Sequence, residues 1–596
     1  MKFEKYIYLK WLPAILFSVA IALHILVVYY QDMIYTVHLR TPFIGGGLFF
    51  DEVTSCPFGI MRWVGCWFSQ FCYYPLLGTF ILVAIWTATY FVADKVFNLP
   101  SKWISLLVLP LGCLLLSVVD LGYWIYCLTE YGYFFSHSLA YLLMFLLLWV
   151  TRKSLKSLPN SKIASIVLID FVLILLYPIL GWYLYLFAAI LAILEWKRFG
   201  VSILWLLVAS VLPLFWGFYY DNISTRDLWI GGFPLFEDGV KLSIRPSIPF
   251  IALIVFSIAI AFLSSLVKHH KDEKWIHSAI VTLIVSIVTF LGVWQMMFKD
   301  YNFLAEMRMS KCAMEDDWRG VLEEAQKQKS PSRSMVLLKN VALMHTGGLG
   351  EYGFKFSSNG QDIKNPDKLN ISSMQIVCPI VYNNYGKINY ASRWANEFAV
   401  CYGYSPFYLM NLIRSANAKG ESNLVEKYSS LLHSHLFYND WKPKELPALS
   451  KSLERDFGNV IDSDNNNGEY YLIDTFSQSY GSDDPLVVEL SLFYAMLYGN
   501  SERFWNAFVS YASLNLDRVL PQHYQEAFFI FMEVAPVELS NNVKLSKGMD
   551  EAYTSFRRQY DALSQQGYSM EDIGKALKIK WGGSYWWHYF FGRKTY

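Results

Sequence analysis

The sequence has little charge and no ordered pattern of cysteines. Only 17% of its 596 residues are Asp, Glu, Lys or Arg, whereas 54% are hydrophobic and 18% are aromatic. Such a composition excludes an ordinary soluble enzyme and a disordered chain. The formal net charge of +1 gives no reason to expect nucleic acid as a partner. The eight cysteines form no CxxC pair and no Cys/His metal spacing, so no metal site is predicted from them.

Long apolar runs fill the first half of the chain. Residues 1–297 are predicted to form a polytopic membrane helix bundle, because they contain about nine runs near the roughly 20 residues that a spanning helix needs. The 163–196 pair of runs could instead form one re-entrant hairpin, since only Pro178 and Gly181 divide it. The predicted runs cover approximately residues 11–30, 75–94, 103–120, 134–151, 163–179, 181–196, 201–219, 248–267 and 276–297.

The lysines and arginines between these runs predict an orientation. Under a nine-span scheme they all fall on one side, and the opposite short loops are nearly free of them, so the N-terminus is expected in the cytoplasm. An odd number of spans then places the C-terminal half outside. The loop charges are Lys2, Lys5, Lys10, Lys95, Lys102, Arg152, Lys153, Lys156, Lys162, Lys197, Arg198, Lys268, Lys271 and Lys274.

Residues 298–596 change character and read as short amphipathic helices broken by Gly, Asn and Pro. The stretches "ASRWANEFAVCYGY", "SPFYLMNLIRSANAKGE" and "SNLVEKYSSLLHSHLF" indicate helix, turn, helix, turn, helix. This pattern resembles tetratricopeptide (TPR) arrays, although the strict consensus is absent. The predicted fold class is therefore all-α, with a membrane bundle followed by an extracytoplasmic TPR-like α-solenoid.

The longest outer loop of the membrane half covers residues 31–74 and contains a predicted helix, "PFGIMRWVGCWFSQFCYYP". Its apolar face carries Ile60, Val64, Trp67, Phe68 and Phe71 at helical spacing. Such a helix lies in the membrane interface or packs on the bundle as a cap. Three cysteines of the loop either form a disulfide, if the loop faces an oxidising space, or fill apolar gaps. They are Cys56, Cys66 and Cys72.

The same loop contains "GGGLFFDEV", in which Asp51 and Glu52 stand side by side. An acidic pair before an interfacial helix resembles the GT-C glycosyltransferase superfamily. That resemblance implies a carboxylate acting as general base on a sugar acceptor, or holding a divalent metal, and basic residues binding the phosphate of a lipid-linked donor. Asp32 could replace the pair as base, and the pair could merely start a short helix. The phosphate-binding candidates are Arg40, Arg62, Arg226, Lys241 and Arg245.

Polar residues within or beside the predicted spans form a further group of candidates. Asp170 lies in the middle of a span, where an ionisable group is costly and is a functional candidate by default, unless it only fixes helix packing. Asp120, Glu130 and His137 lie at the outer ends of two spans and are expected to line an outward cavity, unless they belong to an ordinary aromatic belt.

The whole chain also resembles a family of uncharacterised bacterial multi-span proteins with a helical-repeat outer half. The resemblance is carried by "GIMRWVGCWFSQFCYYPLLG", "DDWRGVL", "NVALMHTGGLGEYGFKF" and "GGSYWWHYFF". It implies a bacterial inner-membrane protein but no particular reaction.

The sequence is compatible with three functions. The first is a GT-C-like transferase acting on a lipid-linked sugar. The second is a scaffold that recruits envelope proteins through its helical repeats. The third is a transporter, indicated by Asp170 and by Pro110 and Pro213 within spans.

Overall fold

A computed structural model of the chain consists almost entirely of helices, which confirms the all-α prediction. It divides into two compact units, the first of which comprises Met1–Lys299, Cys401–Phe407 and Ser430–Trp441. The remainder of the chain forms the second unit. The structure describes residues 5–100, 103–157, 162–199, 202–220, 222–237, 242–267, 275–363, 371, 373–443, 453, 468–516, 518–538 and 543–592.

The first unit contains thirteen α-helices and one short hairpin among its described residues. The hairpin pairs β1 (Phe236–Glu237) with β2 (Leu242–Ser243) in antiparallel register. The helices are α1 (Lys5–His24), α2 (Gln31–Arg40), α3 (Gly47–Thr54), α4 (Gly59–Ser69), α5 (Pro75–Phe97), α6 (Val108–Val119), α7 (Tyr133–Ser157), α8 (Lys162–Leu180), α9 (Tyr183–Phe199), α10 (Leu204–Trp216), α11 (Thr225–Ile230), α12 (Ile248–Leu266) and α13 (Trp275–Met296).

Several of these helices are suited to a membrane by length and composition. Four described stretches are long and apolar enough to cross a bilayer, and a fifth candidate is the pair Ile15–Tyr29 and Gln31–Arg40, bent by 74°. Shorter apolar helices include Ile104–Val119, Ser165–Leu180 and Leu204–Trp216. The nine-span count stays a prediction. The four long stretches are Pro75–Phe97, Tyr133–Lys156, Arg245–Leu266 and Ala279–Met296.

The first-loop helix α4 packs on the bundle through its small and polar residues. Gly65, Cys66, Ser69 and Gln70 are buried, whereas the residues of the predicted apolar face are only partly buried. A Cβ atom at Gly65 would lie 2.4 Å from the carbonyl oxygen of Gly132, so the helix backbone approaches the start of α7 very closely. Small residues at close helix crossings are typical of membrane bundles.

Phe58, at the start of α4, fixes this helix against the hairpin of α8 and α9. It has a positive φ of 72°, and its backbone N–H donates to the carbonyl of Pro178 at 3.0 Å. A Cβ atom at Gly181 would meet the carbonyl oxygen of Gly231 at 1.9 Å, and one at Gly232 would meet the Cβ of Phe58 at 2.6 Å. Both glycines are therefore required where three loops converge on one phenylalanine.

Two segments from late in the chain complete the first unit. The backbone N–H of Leu436 donates to Gln70 Oε1 at 2.8 Å, and the ring of Phe437 stacks on Tyr73 with centroids 5.1 Å apart. Gln70 is buried, so this hydrogen bond satisfies part of a polar side chain that is costly to bury alone. The first loop thus packs against chain that lies more than three hundred residues later.

The second unit is built from capped helices around an aromatic core. Ser332, Asp484, Asn500 and Ser569 each accept a backbone hydrogen bond at a helix N-terminus. A TPR-like arrangement stays a prediction. The α-helices of this unit are Tyr301–Met314, Trp318–Lys327, Arg333–Thr346, Leu349–Tyr352, Ser373–Ile376, Cys378–Asn384, Ile388–Tyr402, Pro406–Ala418, Ser422–Leu432, Gly468–Ser477, Pro485–Tyr498, Ser501–Leu514, Gln522–Val534, Met549–Gln565, Met570–Trp581 and Tyr585–Trp587, of which three run partly into the first unit's segments.

Candidate functional site: an arginine-lined cavity

A polar cavity of about 440 Å³ lies in the first unit, and we call it the arginine cavity. Three separate parts of the chain line it: the first loop, the turn before α7, and the segment that carries α11 and β1. The cavity contains two of the arginines predicted to bind phosphate. Its lining residues are Cys56, Pro57, Arg62, Thr129, Glu130, Asn222, Ile223, Ser224, Arg226, Asp227, Ile230, Gly232, Phe233, Leu235 and Glu237.

Arg62 forms one wall and is held from two sides. Its Nη2 donates to Glu130 Oε1 at 3.0 Å, and its Nη1 donates to Cys56 Sγ at 3.2 Å. The Nε atom is buried and has no hydrogen-bond partner among the described residues. Since α4 is packed tightly on α7, the fold positions the guanidinium in the wall of the cavity.

Glu130 links Arg62 to His137, which lies near the start of α7. Its second oxygen, Oε2, is 3.3 Å from His137 Nε2, and the imidazole stacks on Phe58 with centroids 5.2 Å apart. Burial raises the pKa of Glu130. The charge of Arg62 and the hydrogen bond from His137 lower it by more than burial raises it, so the pKa lies below its ordinary value. Burial lowers the pKa of Arg62, and the attraction of Glu130 more than restores it. Both groups are therefore charged at neutral pH.

The opposite wall is formed by the segment around α11 and is more exposed. Ser224 caps α11, since its Oγ accepts from the backbone N–H of Asp227 at 3.1 Å and donates to Asp227 Oδ2 at 2.7 Å. Arg226 forms an ion pair with Glu237, and the two side chains are 53% and 44% exposed. The guanidinium of Arg226 is thus accessible to solvent, and an anion entering the cavity could compete for it.

The predicted catalytic carboxylates do not line this cavity. Asp51 and Glu52 are exposed and lie in α3, which begins at Gly47, so neither occupies the first turn. The alternative that the pair starts a helix is therefore wrong. Asp32 lies in the first turn of α2 and is partly buried. The catalytic roles of these three residues stay predictions.

Two of the other predicted phosphate-binding residues, Arg40 and Arg245, make contacts elsewhere. The guanidinium of Arg40 lies 3.6 Å from the ring centroid of Phe407, a cation–π contact. Arg245 forms an ion pair with the buried Asp120. Lys241 lies outside the described residues. Asp170 lies in α8, and its Oδ1 atom is buried without a hydrogen-bond partner among the described residues.

A metal ion finds no cluster of ligands in the described part of the chain. No group of three or more His, Cys, Asp or Glu side chains is placed to hold one there. Cys56, Cys66 and Cys72 are free thiols, and the last two are buried. Besides its arginines and carboxylates, the cavity offers a ligand the hydroxyls of Thr129 and Ser224, the amide of Asn222 and the thiol of Cys56.

Sequence reasoning missed most of the second wall. Ser224, Asp227 and Glu237 line the cavity but were not candidates. The run "STRD" at 224–227 has the serine and the acidic residue three positions apart that a capping box requires, and this signal could have located α11. The pairing of Arg226 with Glu237 depends on a turn that has no such signal.

Comparison with known proteins identifies a family but no function. A sequence model for a family of unknown function, DUF6057, matches residues 5–592, so the chain belongs to that family. No curated protein and no solved structure matches the chain.

Proposed function

For this member of the DUF6057 family, we propose a membrane protein that binds the phosphate of a lipid-linked donor in the arginine cavity. The proposal rests on one observation: Arg62 and Arg226 line the same cavity of about 440 Å³, which lies beside candidate membrane spans. Guanidinium groups bind phosphate oxygens through charge-assisted hydrogen bonds with a geometry that lysine does not offer. A donor whose chain stays in the bilayer would present its phosphate at such a place.

In this proposal the bundle has about nine spans, a cytoplasmic N-terminus and an extracytoplasmic helical-repeat domain, in a bacterial inner membrane. The composition of the cavity supports the orientation. The first loop, the turn before α7 and the segment around α11 are separated by apolar stretches, yet all three line one cavity. Segments that share a cavity at the end of a bundle lie on the same side of the membrane, as the nine-span scheme requires.

We propose GT-C-like sugar transfer as the reaction. The acceptor hydroxyl attacks the anomeric carbon and loses its proton to a carboxylate within hydrogen-bond reach. The bond between that carbon and the phosphate oxygen breaks, and the lipid phosphate leaves with the electron pair and is held by the two arginines. Three carboxylates line the cavity. Glu130 and Glu237 each pair with an arginine, whereas Asp227 is hydrogen-bonded to the neutral hydroxyl of Ser224. We therefore assign the role of base to Asp227, with Asp51 and Glu52 as the alternative from the GT-C resemblance.

Binding is tested with the full chain in nanodiscs that contain a polyprenyl phosphate. Replacing Arg226 with Ala should weaken binding about 10- to 100-fold, since hydrogen bonds to charged groups contribute roughly 1.5–3 kcal/mol. Arg557→Ala is the matched control, because Arg557 also forms an exposed ion pair, with Glu533, and does not line the cavity. Equal affinity in both variants and the parent protein would end the proposal.

Catalysis is tested by profiling lipid-linked sugars in cells that carry single variants. Asp227→Asn should cause the donor to accumulate while binding of polyprenyl phosphate is retained, since Ser224 still caps α11 and the amide oxygen of asparagine can still accept from the Ser224 hydroxyl. Accumulation in Asp51→Asn or Glu52→Gln instead would move the base to α3. Unchanged profiles in all three variants would remove the transferase and leave a non-catalytic envelope scaffold as the function.

Transport is a second candidate. It is favoured by Asp170, whose Oδ1 atom has no hydrogen-bond partner among the described residues and which lies in an apolar helix that also contains Pro178. Asp170 does not line the arginine cavity. Asp170→Asn should abolish ion-dependent uptake into proteoliposomes if transport is the function, and should leave binding of polyprenyl phosphate unchanged if it is not.

A further inference from the structure

A second cavity lies between α1, α5, α6 and α13 and shares no lining residue with the arginine cavity. We call this cavity of about 90 Å³ the interhelical slot. Each helix contributes residues from a single face, so the slot runs parallel to the helices. On α13 the lining residues extend from Thr282 to Val293, which corresponds to about 16 Å at the α-helical rise per residue.

The lining of the slot offers water few partners. Most of the residues are aliphatic or aromatic, and the serine and threonine hydroxyl groups are used within the protein. Thr87 and Thr289 each donate to a carbonyl of their own helix at 2.8 Å, and Ser18 bonds to Ser286 at 3.0 Å. Apolar cavities of this kind stay dry and take up apolar ligands. A narrow shape extended along the spans fits a chain better than a compact molecule.

One polar group in the slot is not satisfied by the protein. The Tyr90 side chain is buried, with 5% of the residue exposed, and its hydroxyl has no hydrogen-bond partner among the described residues. A buried hydroxyl without a partner is destabilising, because it has lost its hydrogen bonds to water. Tyr90 lies toward the same end of the slot as Thr282 and Val108, seven residues before the last residue of α5, so a ligand oxygen that reaches this end would supply the missing acceptor.

We propose that the interhelical slot holds one hydrocarbon chain of a membrane lipid, with an oxygen of that lipid accepting a hydrogen bond from Tyr90. The bilayer can supply this hydrocarbon, because α5 and α13 also expose apolar side chains such as Phe80, Phe91 and Val288 on their outer faces. The assignment does not depend on the proposed transferase function, since it concerns different residues.

The slot is tested by photo-cross-linking of the full chain in nanodiscs. One set of nanodiscs contains a phospholipid with a diazirine on its acyl chain, and a second contains a diazirine-labelled polyprenyl phosphate, so the two sources of hydrocarbon are distinguished. The nanodiscs are dissolved in detergent and the protein is washed before irradiation. Retained lipid should cross-link to slot residues such as Leu111 and Phe290 in at least one set.

Two variants give the expected changes and one serves as the control. Thr87→Phe fills the slot and should reduce cross-links to Leu111 and Phe290 at least fivefold. Ala84→Phe adds the same ring to the exposed face of α5 and should leave them unchanged. Tyr90→Phe, which removes only the hydroxyl, should reduce lipid retention about 2- to 10-fold, the value of one hydrogen bond.

Cross-links confined to exposed residues such as Phe80 and Phe91 would overturn the proposal. Equal labelling of the slot in Thr87→Phe and Ala84→Phe would also overturn it. If Thr87→Phe does not fold, Tyr90→Phe decides the question. Lipid retention equal to that of the parent protein would show that no lipid oxygen accepts a hydrogen bond from Tyr90.

Discussion

The two walls of the arginine cavity hold their arginines in different ways. Arg62 is 21% exposed and its partner Glu130 is 14% exposed, whereas Arg226 and Glu237 are each about half exposed. A buried pair is fixed because breaking it leaves an uncompensated charge, and an exposed pair contributes little to stability. The first wall therefore provides rigidity, and the second wall can exchange its partner for a ligand.

The largest expected effect concerns the buried wall. Arg62→Leu should lower the free energy of unfolding by about 3–5 kcal/mol, because it leaves the carboxylate of Glu130 buried without its main partner. The melting temperature in detergent, measured by intrinsic fluorescence, checks this. The double variant Arg62→Leu/Glu130→Leu should recover most of the loss. A double variant as unstable as Arg62→Leu would show that the two residues do not act as a pair.

The position of α4 gives the next effect. Gly65→Ala should destabilise the protein by about 1–3 kcal/mol, since the added methyl group would lie 2.4 Å from the carbonyl oxygen of Gly132. Gly47→Ala is the matched control, because nothing lies within 4 Å of the added atom. The same melting experiment checks both variants. If they were equally stable, α4 would not be held by close packing, and the rigidity of the first wall would need another cause.

The pH dependence of stability separates the walls further. The folded state lowers the pKa of Glu130 below its ordinary value, so the unfolded chain binds more protons as pH falls through the carboxyl range. The stabilisation by Glu130 is fully present above the unfolded pKa of about 4.3 and is lost as pH falls toward the folded pKa. We expect the parent protein to lose about 1–2 kcal/mol more than Glu130→Gln between pH 7 and pH 3, because the loss begins only near the unfolded pKa and then grows by up to about 1.4 kcal/mol per pH unit.

Melting temperatures of the two proteins across that range provide the measurement. Parallel curves would mean that Glu130 is not held as a charged group. Glu237→Gln should give a curve parallel to that of the parent protein, since its partner Arg226 is exposed and solvent screens the pair.

The smallest effect on stability concerns the exposed wall. Arg226→Ala should change the free energy of unfolding by less than about 1 kcal/mol, although the same variant is expected to weaken binding of polyprenyl phosphate. Melting and binding measured on one preparation check the separation. A large loss of stability would show that Arg226 is structural, and the contrast between the walls would then be wrong.

The sequence predicted elements of the first wall but not their arrangement. Helical periodicity located α4, yet the face that packs on α7 carries Gly65, Cys66 and Ser69. Periodicity indicates two faces and cannot say which is buried when lipid as well as protein can cover an apolar surface. The aromatic face was expected either to lie among lipid or to belong to a cap on the bundle, and the close approach at Gly132 requires small residues on the opposite face.

The contents of the cavity were predictable only in part. Arg62 and Arg226 were candidates because they lie on one predicted side of the membrane, and the cavity contains both. Asp51 and Glu52 stand out in the sequence as an acidic pair, but α3 places them on an exposed face. The pairing of Arg62 with Glu130 joins residues that are 68 positions apart. No local pattern encodes such a contact, since it depends on how α4 and α7 cross.

The central claim is that Arg62 and Arg226 act together on one phosphate. Cryo-electron microscopy of the full chain in nanodiscs with polyprenyl phosphate tests it most directly. We predict phosphate density in the arginine cavity, within hydrogen-bond distance of both guanidinium groups, with Arg226 moved away from Glu237. An empty cavity that keeps the Arg226–Glu237 pair, with the phosphate bound elsewhere, would contradict the account.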